Sequence, residues 1–338
     1  MLGGGIYVTQ NKKLPGSYIN IVNASSATSA VGERGVVAAV IDLGALTDGV
    51  IEITSNEFHS GKVKKEYADS IELREIFRHA SKVYLIDCPP EDAEDRYSLD
   101  MFEPYDFNVL CCYSDVEDTI EAHIEKVKYW RDEMGKKCQV VVFNYDGADH
   151  EGVINVMSEA TDVSYSLVAW VSGAVAGCKV NESCTNMLYD GELDIMCDRT
   201  QAELEKCLTD GQFVFHNVYG EVRVLEDINS LTTFTDDKGE DFKYNQTIRV
   251  IDQVANDIAK LFNTKYLGRI PNNASGRVSL WADIVAHHRQ LEAMQAIEAF
   301  DSSLLTVEQG NNKKSVVVND AITVVNAMAQ LYMTVVIQ

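Results

Sequence analysis

Three short apolar runs separated by one helix-forming stretch restrict what the middle of this chain can become. K-V-Y-L-I-D (82–87), F-N-V-L-C-C (107–112) and C-Q-V-V-V-F (138–143) are apolar at consecutive positions, the pattern of strands buried on both faces. Between the last two lies S-D-V-E-D-T-I-E-A-H-I-E-K-V-K-Y-W-R-D-E-M, with Ser114 as the expected cap. Val116, Ile120, Ile124 and Val127 form its expected inner stripe, and Gly135 closes it. The reading is a β-α-β unit inside an alternating α/β domain.

Around that unit the pattern changes. Residues 35–54 read as short strands, 68–80 as helix and 164–177 as a further helix. F-V-F-H-N-V and E-V-R-V-L form a strand pair turning at Tyr219-Gly220. The polar, turn-rich T-D-D-K-G-E-D (235–241) marks a boundary. Beyond it, Ile251, Val254, Ile258 and Leu261 predict one helix, and Leu280, Ile284, Leu291 and Met294 a second from about Ser279 to Phe300. A hairpin follows, Leu304–Glu308 against Ser315–Val318 across Gly310-Asn311-Asn312. The fold class is therefore α/β and α+β multidomain, with an alternating α/β middle and a compact α+β C-terminal domain.

Both ends read as extended strands. L-Y-M-T-V-V-I (331–337) places Leu331, Met333, Val335 and Ile337 on one face. Near the start, I-Y-V-T (6–9) and S-Y-I-N-I-V (17–22) flank Pro15-Gly16. Terminal strands need partners for their backbone N–H and C=O groups, and those partners can belong to another subunit.

Charge divides along the chain. Residues 1–240 hold 20 Lys and Arg against 43 Asp and Glu, whereas residues 241–338 hold nine of each. A surface this acidic is a poor match for nucleic acid, which demands cations to displace counterions. The longest nearly uncharged apolar stretch, 166–178, is too short and too rich in Gly and Ser to span a bilayer, so no membrane insertion is expected. The start M-L-G-G-G-I-Y-V lacks the regions of a signal peptide, which places the protein in the cytoplasm where it is made. Eight cysteines without C-x-x-C or a zinc-spaced His pair read as reduced, buried thiols.

The search for chemistry finds little. Glycines 3–5 precede a strand instead of following one, and G-A-V-A-G-C-K (173–179) falls short of the phosphate-loop spacing. His287 and His288, adjacent in a helix, should point in different directions and fill structural or solvent-facing roles. Acidic clusters at 91–95 and 235–241 lack the calcium-loop pattern. The best enzyme candidate is Cys88 at a strand end, for which His79, His123, His150 or His216 would have to serve as base. No cofactor, metal or catalytic residue is expected on the other reading, a non-enzymatic building block.

Four segments decide between these readings: G-G-G-I-Y-V-T-Q-N-K-K-L-P-G-S-Y-I-N (3–20), W-V-S-G-A-V-A-G-C-K-V-N-E-S-C-T-N-M-L-Y-D-G (170–191), N-Q-T-I-R-V-I-D-Q-V-A-N-D-I-A-K-L-F (245–262) and S-V-V-V-N-D-A-I-T-V-V-N-A-M-A-Q-L-Y-M-T-V-V-I-Q (315–338). Through them the chain resembles contractile phage tail sheath proteins, in particular the short type of Gram-positive phages and phage-tail-like R-type bacteriocins. The resemblance implies a structural subunit, assembled in the bacterial host cytoplasm, that stacks as six-fold rings around a tail tube and contracts to drive the tube through a target envelope. It implies as partners neighbouring sheath subunits, the tail tube protein, and baseplate and tail terminator proteins.

On this chain the resemblance maps an N-terminal arm to 1–30 and a small β-rich outer domain to 31–87. A non-catalytic α/β domain of subtilisin-like fold takes 88–238, a sheath core domain 239–328 and a C-terminal arm strand 329–338. Tyr18, Ile19, Asn20, Ile21 and Val22, with Leu331, Met333, Val335 and Ile337, would join neighbouring subunits. Lys260 with Lys265, or Arg277 with Arg289, would touch the tube.

Overall fold

A computed structural model describes residues 31–44, 47, 49–88 and 98–336. Its centre is a seven-stranded sheet. Strand β1 (Val36–Ile41) lies in the middle, parallel to β3 (Lys82–Asp87) on one side and to β4 (Val109–Cys112) on the other. From β4 the sheet continues in parallel through β5 (Gln139–Phe143), β6 (Val153–Val156) and the two-residue β7 (Gln212–Phe213). The opposite edge is β2 (Ile51–Thr54), antiparallel to β3.

The strand pleat sorts side chains between two cores. Val37, Ala39, Leu85, Val109, Cys111 and Val141 face one layer, while Ala38, Ile86, Leu110, Cys112, Val140 and Val142 face the other. Both sides being covered explains the uninterrupted apolar runs. On the second face sits helix α4 (Glu117–Tyr129), which presents Ile120, Ile124 and Val127 and runs into a π turn, Trp130–Met134, closed by Gly135 at φ 76°. On the first face lie three short helices, α1 (Ser55–His59), α2 (Lys65–Asp69) and α3 (Ile71–Ile76), with α5 (Leu167–Gly177).

Helix α5 is buried nearly all round. Its glycines are packing devices, since a Cβ at Gly173 would stand 2.3 Å from the Ile76 carbonyl oxygen and one at Gly177 would stand 2.2 Å from that of His79. The G-A-V-A-G segment therefore lets α3 approach the α5 backbone. No helix of the described residues is long and apolar enough to cross a membrane.

Helix α6 (Gln201–Thr209) carries a Thr200–Glu203 capping box. Next comes the hairpin β8 (Phe215–Val218) and β9 (Glu221–Val224), turning at Tyr219 and Gly220 with φ 54° and 92°, the positive pair that a two-residue hairpin favours.

The C-terminal part has its own core. Helix α7 (Asn245–Leu261), a π turn (Phe262–Tyr266), helix α8 (Ala274–Ala293) and the hairpin β10 (Thr306–Gln309) with β11 (Val316–Asn319) enclose Val250, Leu261, Leu280, Ile284, Leu291, Ile297 and Phe300.

Several expectations need correction. Residues 31–87 form no separate outer domain, because β1, β2 and β3 belong to the same sheet as β4 to β7. The 68–80 helix is divided at Ser70, whose hydroxyl accepts from Leu73 N–H and so caps α3 anew. Val116, not Ser114, is the cap residue of α4; Val116 is exposed and outside the stripe, and the Ser114 hydroxyl accepts from Val116 N–H at 3.1 Å. Met294 is exposed at the C-cap of α8, one residue past the helix. The second helix of the C-terminal domain also starts earlier, at Ala274, and ends earlier, at Ala293.

Candidate functional site

The nucleophile reading finds no support in the geometry. Cys88 is buried in the core on the α4 side, whereas His79, at the end of α3, packs edge-on to Trp170 on the other face and meets Asp190 at 3.1 Å. His123 donates Nδ1–H to the Thr119 carbonyl at 2.7 Å, and burial pushes it down to about 4. His150 precedes β6 and His216 lies on β8; β6 is four strand positions from β3, roughly 19 Å across the sheet. Residues 91–95 lie outside the described residues.

Asp132, His150 and Glu151 approach one another in the arrangement of a metal triad. The Gly152 N–H donates to His150 Nδ1 at 2.9 Å, so Nε2 carries the proton and has no lone pair to offer. That proton faces Asp132 and Glu151 at 3.5 and 3.6 Å. Lys238 further engages Glu151 at 2.8 Å. The ion pair of the cluster is Lys238 with Glu151.

His287 and His288 depart from expectation. Both are buried, and their rings turn toward each other with the Nδ1 atoms 3.2 Å apart. Their Nε2 atoms face Asp257 at 2.9 Å and Asp320 at 2.5 Å.

What sequence periodicity missed is the buried side of α7. The apolar stripe Ile251, Val254 and Ile258 is only half-buried, while Asn245, Gln246, Thr247, Arg249, Asp252 and Gln253 are buried. This polar face meets the α/β domain. Arg131 donates two bonds to Asp252, at 2.6 and 2.9 Å, and a third to the Cys138 carbonyl. Burial works against the Arg131 charge, but Asp252 outweighs it and holds the guanidinium above its ordinary value. Arg249 donates to Asp227 at 3.1 Å and to the Glu182 carbonyl, while Asn256 bridges the Lys137 backbone at both its N–H and C=O. Polar residues spaced at 245, 246, 249, 252, 253 and 256 in an amphipathic helix were the available signal.

The same helix holds the root of the C-terminal tail. The Gln246 side chain donates to the Val325 carbonyl at 3.2 Å and accepts from Ala327 N–H at 2.9 Å, copying the two bonds of a strand neighbour. Thr247 and Asn326 add a further contact. Beyond that clamp the chain stands clear of the body, with Leu331, Met333 and Val335 at 85%, 75% and 71% exposure. The predicted terminal strand takes no ladder partner among the described residues; its N–H and C=O groups have no strand beside them. Ile337 and the N-terminal set Tyr18 to Val22 lie outside the described residues. In the same domain β10 and β11 form a sheet of two strands only, so each has an outer edge with no strand against it among the described residues.

The two alternative cation pairs expected at a tube surface lie on different elements, Lys260 and Lys265 at the end of α7 and in its π turn, Arg277 and Arg289 on α8. Lys260 is exposed near the end of α7, while Lys265 is bonded to Asp283 at 2.6 Å. Arg277 holds the Asn272 side chain and Arg289 holds Glu292. The two arginines are about 18 Å apart along α8.

Comparison with known proteins follows the division of the chain. The family model for the phage tail sheath protein central domain matches residues 90–230, and that for the phage tail sheath C-terminal domain matches 237–338. The tail sheath protein of Clostridium phage phiCD119 is 27% identical over 255 residues, covering 73% of this chain and 68% of the relative. The crystal structure of a sheath tail protein from Desulfitobacterium hafniense superposes with a TM-score of 0.73 at 24% identity, covering 94% of this chain and 99% of the other. The helical sheath of the anti-feeding prophage in its contracted state gives a TM-score of 0.72 at 15% identity over 96% of this chain and 99% of the other. The chain spans about half the length of the first curated relatives it matches.

Proposed function

Since the chain belongs to the phage tail sheath family and is a structural sheath subunit, we propose that it polymerises as stacked six-fold rings around a tail tube and that the resulting sleeve contracts to drive the tube through a target envelope. The observation that carries this reading is a donor and an acceptor in one domain. An apolar tail leaves the Gln246 clamp with no strand beside it among the described residues, and the β10–β11 hairpin offers edges that such a tail fits. Strand addition from a neighbouring copy satisfies both, with alternate side chains fixing register and backbone bonds tolerating rotation of the bodies. The N-terminal residues Tyr18 to Val22 take the matching part from the other end.

Contraction on this reading needs no nucleotide. An array held in a metastable arrangement releases its stored free energy as new contacts form, which is how interfaces with two discrete packings behave. The tail tube, baseplate and terminator are the remaining partners, met as the sleeve is assembled in the host cytoplasm on a phage or bacteriocin particle. Electron microscopy of the purified chain at high concentration tests the proposal. Sleeves or ring stacks are the expected result, and a monodisperse single subunit at every concentration refutes it.

A further inference from the structure

The roots of the two terminal segments meet at one chain of four side chains, two buried histidines between the part-buried Asp257 and the exposed Asp320. At the N-terminal root, Val31 N–H donates to Gln290 Oε1 at 3.2 Å and Gly32 N–H donates to Asp257 Oδ2 at 3.0 Å. The fit at Gly32 is tight, since a Cβ there would lie 2.7 Å from Asp257 Oδ1. The same Asp257 oxygen faces His287 Nε2 at 2.9 Å. His287 meets His288 through Nδ1 at 3.2 Å, and His288 Nε2 reaches Asp320 at 2.5 Å, one residue beyond β11, where the chain sets out toward the C-terminal tail. Asp257 stands on α7, the imidazoles on α8 and Asp320 after the hairpin.

Proton counting shows what this geometry stores. Asp257 Oδ2 already accepts from Gly32 N–H, so His287 Nε2 must be the donor toward it. His288 Nε2 likewise donates to the Asp320 carboxylate. Two nitrogens 3.2 Å apart then hold one proton between them, one donating and the other accepting. Without that proton two lone pairs oppose each other; with a second, two N–H groups do. The contact is stable with a single shared proton.

We propose that Asp257–His287–His288–Asp320 is a one-proton latch joining the roots of the two arms, and that uptake of a second proton by the imidazole pair opens it. The Nδ1···Nδ1 contact is what resists the second proton. When it arrives one ring turns away. A turn of His287 withdraws its bond from the carboxylate that holds Gly32, and a turn of His288 withdraws its bond from Asp320. The other charged groups nearby are already matched or remote from the Nδ1 atoms. Arg289 is paired with Glu292 and lies over Phe300, whose ring meets His288 edge-on, while the charges of Asp257 and Lys260 are both felt at Asp106. The sign follows from linkage: the closed latch holds one shared proton and excludes a second that the open one accepts, so acidification opens it.

Hydrogen exchange of the full-length chain, read by mass spectrometry between about pH 7.5 and about pH 5 and corrected for intrinsic rates, tests this. Protection of the Val31 and Gly32 amides should fall about tenfold on acidification, the change that one unit of differential proton affinity produces. In His288→Gln the amide oxygen accepts from His287 Nδ1–H and the NH₂ donates to Asp320, so no opposed protons arise. That variant should keep its protection at both pH values. Unchanged protection in the natural chain, or an equal loss in the variant, overturns the proposal. Exchange of the imidazole C2 hydrogens supplies a second measurement that needs no substitution. The second histidine should gain its proton in the same pH step as the amides open, and titration of both rings without any opening would also overturn the latch.

Discussion

The α7 interface and the C-terminal tail invert the usual rule in opposite ways. At the interface, charged groups are buried: Arg131, Asp252, Arg249 and Asp227 are all nearly inaccessible. In the tail, apolar groups are exposed: Leu331, Tyr332, Met333, Val335 and Val336 all lie open. In the first arrangement each buried charge meets its opposite at hydrogen-bond distance within one chain, and only the Nε atoms of Arg131 and Arg249 lack a partner among the described residues. The second is unsatisfied among the described residues. A contiguous exposed apolar segment marks an interaction surface, whereas buried pairs give a fixed docking geometry that a merely greasy contact would not. Matched charges join the two domains of the body, whereas the apolar side chains of the tail have no cover among the described residues.

The interface side is broken most sharply by Asp252→Ala. It leaves the Arg131 guanidinium buried with its bidentate partner gone, and the expected loss is about 3–5 kcal/mol in chemical denaturation. A loss under ~1 kcal/mol would mean that water reaches the interface.

A pH experiment sharpens the contrast for the α/β core. His123 is held down to about 4, against an ordinary value near 6.5, by burial against the α4 side of the sheet. Its folded-state value is lowered, so its contribution is complete above the unfolded value and is lost as pH falls toward 4. Between those values the natural chain should lose up to about 3 kcal/mol relative to His123→Gln, measured by denaturant midpoints across the window.

Smallest in stability, and most informative about assembly, are charge reversals at Lys260, Lys265, Arg277 and Arg289. Each should shift stability by no more than about 1 kcal/mol, because these cations are exposed or paired only at the surface. Co-sedimentation with the tube protein should fall for the pair that faces it. Co-assembly unchanged by all four reversals would remove these residues from the tube surface.

How legible this was in the sequence depended on which force shaped each element. Strands β3, β4 and β5 could be read directly, since burial on both faces leaves only apolar residues. The turn at Tyr219-Gly220 was equally plain, because backbone chirality restricts what fits there. The placement of β1 and β2 was hidden. Nothing local in G-V-V-A-A-V-I says that its neighbours are β3 and β4, 40 to 70 residues away, and a separate outer domain was the natural misreading. The polar face of α7 was hidden for a different reason. Periodicity detects apolar stripes, and here the more deeply buried stripe is made of Asn, Gln, Arg and Asp, whose partners lie across a domain boundary. His287 and His288 were misread because helix geometry separates the Cβ directions of adjacent residues but leaves the χ angles free to bring the rings together.

The tail is the part on which the functional account rests. Sedimentation of the full-length chain against one ending at Ala327 puts it to the test directly. The cut falls just past the Gln246 clamp, so the body should keep its melting temperature. The account predicts that the full chain sediments as large assemblies and that the shortened one stays as single subunits. Assemblies of the same size and yield from the shortened chain would contradict it.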